Sequence, residues 1–147
     1  MDSQAGKGML GLLFAVLIVF EVMWGAVPWL QKSTGLVPNE SAAVAVLRQI
    51  ETAQKDHLGA TRMYGSMGKL SNSKLIAQTQ DRFKSGGYEF EHSTNGRGST
   101  WCADAAPEAG KPGRTLGIDD SGTVWHGVSA GACYMGTLNT SGASVVK

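Results

Sequence analysis

The chain divides into three regions by the spacing of its apolar residues. Residues 9–30 form an almost unbroken apolar run in which Glu21 is the only charged side chain. In residues 39–55 apolar side chains recur every three or four positions, and from residue 86 onward they alternate with polar ones. These patterns predict, in order, a membrane-spanning helix, an amphipathic helix and a set of antiparallel strands.

The apolar run is long enough to cross a bilayer as a helix, because about 20 residues rising about 1.5 Å each cover a hydrocarbon core of about 30 Å. Trp24 and Trp29 near its end, followed by Lys32, are typical of a headgroup boundary. A buried core helix would need a second apolar layer, which so short a chain lacks. A cleaved secretory signal would need a more basic leader than Lys7 provides. We therefore predict a single-pass anchor surrounded by membrane lipid.

Glu21 is the unusual residue of this predicted anchor, since a carboxylate inside an apolar span is costly without a partner. It either contacts another helix in an assembly or reaches the membrane interface, and the sequence favours neither interpretation over the other. Orientation is not set by charge, because Lys7 and Lys32 stand on opposite flanks.

The second region predicts an amphipathic helix that Asn39 caps and that fades near residues 57–59. Its predicted buried face carries Ala43, Val46, Leu47, Ile50, Ala53 and Gln54. The other sides carry Glu40, Arg48, Gln49, Glu51 and Lys55. Such a helix has one face for a sheet to cover.

The remainder predicts three or four antiparallel strands and one short helix. The short helix is expected within residues 73–84, after a turn-rich segment at 63–70. Strands are expected at residues 88–92, 99–105, 114–118 and 123–127, with hairpin loops at 95–98 and 119–122. The fold class is therefore α+β, with residues 1–8 as a leader or short cytoplasmic segment, 9–30 as the transmembrane helix, 31–38 as a joint and 39–147 as the folded domain.

Composition supports a turn-rich, compact domain, with 20 Gly residues, and gives little sign of a nucleic-acid partner, since the net charge is +1. The two cysteines are Cys102 and Cys133. If the domain lies outside the cytoplasm, a disulfide between them would stabilise it by about 3 to 4 kcal/mol and attach the Gly-rich tail to the sheet. Two reduced thiols remain the alternative.

No motif predicts catalysis, a cofactor or a metal. His57, His92 and His126 are isolated and are interpreted as surface histidines. Asp119 and Asp120 lie in a tight turn, where turn chemistry is a better interpretation than calcium binding, because calcium needs six or more oxygen ligands. No serine has a base placed beside it by the local sequence. We therefore expect a protein that is not an enzyme.

An apolar helix interrupted by Pro28 and continued by SAAVAVLRQIETAQ at residues 41–54 resembles the type IV pilins and the pseudopilins of type II secretion. The motif GYEF at 87–90 and the 119–122 hairpin are also similar to that family. The resemblance implies a long N-terminal helix packed on a small antiparallel sheet. It also implies cleavage by a prepilin peptidase after Gly8, which would expose Met9, with Gly6 as the less favoured position. The family usually carries a Glu early in the apolar helix, where this chain has Leu13.

These observations lead to a structural hypothesis. The chain is expected to be a subunit of a pilus or pseudopilus-type assembly in the cytoplasmic (inner) membrane of a bacterium, with its C-terminal domain periplasmic or extracellular. The residues expected to contact other transmembrane helices are Leu13, Val16, Phe20 and Glu21. The alternative is an unprocessed, pilin-like accessory subunit of an integral membrane complex, as in photosynthetic or respiratory electron transfer. A secreted binding domain is a third interpretation.

Overall fold

The computed structural model describes residues 38–146, which form a long helix, a short helix, a six-stranded sheet and a small hairpin. Helix α1 spans Pro38–Thr61 and α2 spans Met67–Asn72. The sheet contains β1 (Arg82–Ser85), β2 (Tyr88–Thr94), β3 (Trp101–Pro107), β4 (Leu116–Asp119), β5 (Val124–His126) and β8 (Ser144–Val145), in that spatial order. The hairpin pairs β6 (Cys133–Tyr134) with β7 (Thr137–Leu138). All neighbouring strands are antiparallel, which confirms the α+β class.

Helix α1 packs one side against the inner face of the sheet. Leu47 and Ile50 are fully buried there, and Ala43, Ala53 and Gln54 are buried beside them, as the spacing of apolar residues predicts. Val46 is only partly buried. The inner face of the sheet supplies Tyr88, Phe90, Trp101, Ala103, Ala105, Leu116, Ile118 and Val124 to the same core. The predicted amphipathic helix is therefore confirmed, although it continues to Thr61.

The tail after β5 covers part of the outer face of the sheet. Cys102 of β3 packs there in a second core with the tail residues Val128, Ala132, Cys133 and Leu138. Gly117 makes this contact possible, because a Cβ at that position would lie 2.9 Å from the methyl groups of Leu138. Burial on both faces explains why residues 101–105 of β3 are all buried, although strands covered on only one face alternate.

The prediction of a short helix within residues 73–84 is wrong. The short helix is α2, which lies earlier, and Arg82–Ser85 forms an edge strand instead. Phe83 stacks on Phe90 of β2 with ring centroids 4.9 Å apart, so pairing with the neighbouring strand decides the local structure. The sheet also has six strands rather than three or four, because β1 and the two-residue β8 add one strand at each edge.

Two carboxylates that were expected on the polar sides of α1 are buried. Glu40 is 2% exposed and Glu51 is 8% exposed. Glu51 is paired with Lys55 at 2.6 Å and with Arg48 at 2.7 Å, and these cations cover it from the next turn and the previous one. Burial of these acids follows from their ion pairs rather than from the apolar pattern.

Candidate functional site

The predicted site residues fall into two groups. Six of them lie outside the described residues, namely Gly8, Met9, Leu13, Val16, Phe20 and Glu21. The other two, Cys102 and Cys133, lie in the folded domain and form a disulfide with Cα atoms 5.5 Å apart. The disulfide prediction is therefore confirmed, and the alternative of two reduced thiols is not observed.

The disulfide joins the central strand β3 to the tail, and both of its cysteines are buried in the second core. The sequence separation is 31 residues, so the closed loop includes β4, β5 and the turn between them. Closing a loop of this length removes conformational freedom from the unfolded chain, which stabilises the fold by about 3 to 4 kcal/mol. The site thus holds the C-terminal tail on the sheet.

Asp104 is a second attachment point for the tail, and sequence analysis missed it. It lies on β3 two residues after Cys102 and is 2% exposed. Its carboxylate accepts hydrogen bonds from the main-chain N–H groups of Gly131 at 3.1 Å and Cys133 at 3.4 Å. The only indication of this contact in the sequence was a carboxylate inside an otherwise apolar strand.

Burial raises the pKa of Asp104 to about 6. The charge of Glu91, which lies directly across from it on β2, contributes in the same direction. The two main-chain N–H groups and Arg82 oppose the increase, since they favour the charged form. Arg82 itself is paired with Glu91 at 2.8 Å. The attachment point is therefore a carboxylate that titrates close to neutral pH.

A buried hydrogen-bond network joins α1 to the sheet. The Gln54 side chain donates to the carbonyl oxygen of Gly65 at 2.6 Å and accepts from its N–H at 3.0 Å. The amide nitrogen of Gln54 is 2.8 Å from Nε2 of His92, and the other ring nitrogen of His92 is 3.0 Å from Asp81. The hydrogen bond with His92 lowers the pKa of Asp81.

This network corrects the interpretation of the histidines. His92 is 3% exposed and His57 is 8% exposed, so neither is a surface residue. His92 is buried because Gln54 and Asp81 satisfy both of its ring nitrogens. The His92 side chain offers no exposed nitrogen for acid–base chemistry on a ligand.

Glu40 at the start of α1 forms the third buried polar contact. It accepts from the main-chain N–H of Arg114 at 2.7 Å and from the guanidinium Nη2 at 3.0 Å. Arg114 lies in the loop before β4, so this pair fixes the loop to the first turn of the helix. Tyr88 supports the same loop, because its hydroxyl donates to the carbonyl oxygen of Arg114.

Hydrogen bonds within the turn hold residues 119–122, and the carbonyl oxygen of Gly122 also accepts one from the guanidinium of Arg48 at 2.6 Å. Asp119 accepts hydrogen bonds from the N–H and the hydroxyl of Ser121, as in the predicted turn. Among residues 38–146 no group of three or more His, Cys, Asp and Glu side chains is arranged to hold a metal ion.

The exposed side of α1 borders a groove of about 680 Å³. We call it the helix groove; it is lined by Ala45, Arg48, Gln49, Thr52, Ala53, Asp56, Leu75, Ile76, Ala77 and Gln78. It is a shallow surface rather than an enclosed cavity, and it brings together small, apolar and charged side chains.

Within the described part of the chain, neither helix has the length and hydropathy needed to span a bilayer. The predicted span at residues 9–30 lies outside that part.

Comparison with known proteins identifies no relative: no family model, no curated protein and no solved structure matches this chain.

Proposed function

We propose that this chain is a structural, single-pass membrane subunit of a pilus or pseudopilus-type assembly in a bacterial cytoplasmic membrane, which packs through its N-terminal apolar helix. Partners are other transmembrane helices, in the first place those of its own copies. The proposal assigns no catalytic role to the chain. The C-terminal domain stands on the periplasmic or extracellular side.

One observation carries the proposal. An amphipathic helix that starts at Pro38 packs on an antiparallel sheet, and it follows an apolar run that ends at Leu30. Because the sheet covers only one side of α1, the exposed side of the helix and the helix groove stay available for neighbouring subunits. The resemblance of the sequence to pilins and pseudopilins supports the same arrangement.

The disulfide supports the proposed location of the domain. Disulfides persist in oxidising compartments and are rare in the cytosol. The Cys102–Cys133 bond therefore favours an extracytoplasmic domain.

The absence of the usual early Glu supports a second candidate function. Leu13 stands at that position, and in this second candidate the chain is an unprocessed accessory subunit of an integral membrane complex. The two candidates share the fold and differ in the processing of the leader.

Intact-mass measurement of the chain extracted from native membranes tests the proposal. A processed pilin-like subunit begins at Met9, after cleavage at Gly8. Replacing Gly8 with Ala should block the cleavage and give a heavier chain, whereas the matched control Gly11→Ala should be processed normally. A mature chain that begins at Met1 in the native membrane would contradict the pilus assignment and favour the accessory subunit.

A further inference from the structure

A pocket of about 240 Å³ lies between the first turn of α2 and the turn that joins β2 to β3. We call it the Lys69–Arg97 pocket; it is lined by Tyr64, Ser66, Lys69, Thr94, Arg97 and their neighbours. Its volume is below the range of about 300 to 1,000 Å³ that drug-sized ligands occupy. A pocket of this size suits one small unit of a ligand.

The charge of this pocket is positive and uncompensated. Lys69 and Arg97 both line it, and neither forms an ion pair with any residue between 38 and 146. No Asp or Glu lines the pocket. Burial and the charge of Asp120 raise the pKa of Tyr64, and the charge of Lys55 opposes this increase. Two unpaired cations beside one concave surface attract an anion, and the planar guanidinium of Arg97 suits an oxyanion in particular.

The pocket also offers hydroxyl groups with free hydrogen-bonding capacity. The hydroxyls of Tyr64, Ser66 and Thr94 have no hydrogen-bond partner in the described part of the chain. Each of them can donate one hydrogen bond and accept others. A ligand that carries both an oxyanion and hydroxyl groups would use the whole lining.

The pocket is preformed by main-chain hydrogen bonds. The N–H of Tyr64 donates to the carbonyl oxygen of Gly98 at 2.8 Å, and the N–H of Gly98 donates to that of Asn95 at 3.0 Å. The side chain of Asn95 bonds the Ser99 hydroxyl and N–H, which fixes the turn from the other side. Gly98 is at φ +63°, where a Cβ would lie 2.9 Å from the carbonyl oxygen of Tyr64. A preformed pocket binds without the cost of ordering a loop.

From these features we infer that the Lys69–Arg97 pocket binds an anionic sugar, meaning a saccharide unit that carries a phosphate, sulfate or carboxylate group. The cations bind the oxyanion, and the three hydroxyls bind the hydroxyl groups of the sugar. This inference goes beyond the structural role proposed above and does not depend on it.

Titration of the full-length chain in detergent micelles with glucose 6-phosphate, followed by amide chemical shifts in NMR, tests the inference. We expect shifts at residues 95–98 that saturate, and weaker binding of both glucose and inorganic phosphate. R97Q and K69Q should each weaken binding about tenfold, since each removes a charged hydrogen bond. Both side chains are exposed, so the fold should survive their replacement. The matched control is K111Q, an exposed cation outside the pocket, which should bind as the wild type does.

Three results would overturn the inference. The first is the absence of shifts at residues 95–98 with 50 mM glucose 6-phosphate. The second is equal affinity for inorganic phosphate and the sugar phosphate, which would reduce the pocket to a simple anion site. The third is a short single strand of DNA that binds this pocket more tightly than the sugar phosphate, which would assign it to a different class of ligand.

Discussion

Asp104 accepts a hydrogen bond from the main-chain N–H of Cys133, whose side chain is bonded to Cys102 on the same face of β3. The tail is therefore held at one residue by a covalent bond and by a buried carboxylate. The covalent bond responds to reductant and the carboxylate responds to pH, so the two contributions can be measured separately.

Ionisation of the buried Asp104 carboxyl should make the fold less stable as the pH rises through about 6. Its pKa in the folded chain is about 6, above the ordinary value of 3.8, so the folded state binds the proton more tightly. The resulting stabilisation is fully present below about pH 4 and is lost as the pH rises through about 6. The free energy of unfolding of the wild type minus that of D104N should fall by about 2 kcal/mol between pH 4 and pH 8. Thermal unfolding followed by circular dichroism measures this difference.

The control for this experiment is D120N, which changes an exposed carboxylate in the 119–122 turn. D120N should follow the pH dependence of the wild type. If D104N also follows it, Asp104 does not titrate as the structure indicates.

Removal of the disulfide should lower the stability by about 3 to 4 kcal/mol, because the unfolded chain regains the freedom of a long loop. The double variant C102S/C133S and the wild type in reductant should show the same decrease in melting temperature. A melting temperature that reductant leaves unchanged, with both thiols shown by labelling to be free, would contradict a stabilising role for this bond.

Replacement of Gln54 should lower the stability of the fold far more than replacement of Gln49, a neighbouring glutamine on α1. Q54L leaves the N–H and carbonyl of Gly65 and one nitrogen of His92 without partners, and we expect a loss of about 3 kcal/mol. Gln49 is exposed, so Q49L should change the stability by less than about 0.5 kcal/mol. Melting temperatures of Q54L and Q49L test this expectation. Equal values would show that the hydrogen-bond network of Gln54 does not contribute to the stability of the fold.

Gly136 and Gly142 provide a matched test of close packing at the tail. Both have positive φ, +75° and +77°, so alanine is strained by about 1 kcal/mol at either position. Only at Gly136 would the new Cβ also lie 2.6 Å from the main-chain N of Asn95 and the main-chain O of Thr100. G136A should therefore cost about 3 kcal/mol or more, and G142A about 1 kcal/mol. Similar melting temperatures for both variants would mean that the β6–β7 hairpin does not pack against the turn at residues 95–100.

The sequence allowed the long elements to be predicted because each has a repeating pattern. Helix α1 repeats every three to four residues, and β2 alternates Tyr88, Glu89, Phe90 and Glu91 across its two faces. The turn at residues 119–122 also follows from local chemistry, since Asp119 bonds Ser121 within the turn itself.

The elements that were missed depend on contacts between distant residues. Strand β1 has four residues and β8 has two, and each forms only because a longer strand pairs with it. The partners of Asp104 are Gly131 and Cys133, which lie 27 and 29 residues later in the chain, so no local pattern indicates them. The burial of His92 likewise depends on Gln54, which lies 38 residues earlier. The position of Gln54 on the apolar face of α1 did indicate that this glutamine needs a buried polar partner.

Cysteine cross-linking through the apolar helix in native membranes tests the central claim most directly. Val16 is expected to contact other copies of the proposed helix, and a helical turn of about 100° per residue would place Ile18, two residues later, on the opposite side. We predict that V16C forms a cross-linked dimer under mild oxidation and that I18C does not, with the native disulfide intact in both. Equal cross-linking of the two variants, or none in either, would contradict a subunit that packs through one face of its N-terminal helix.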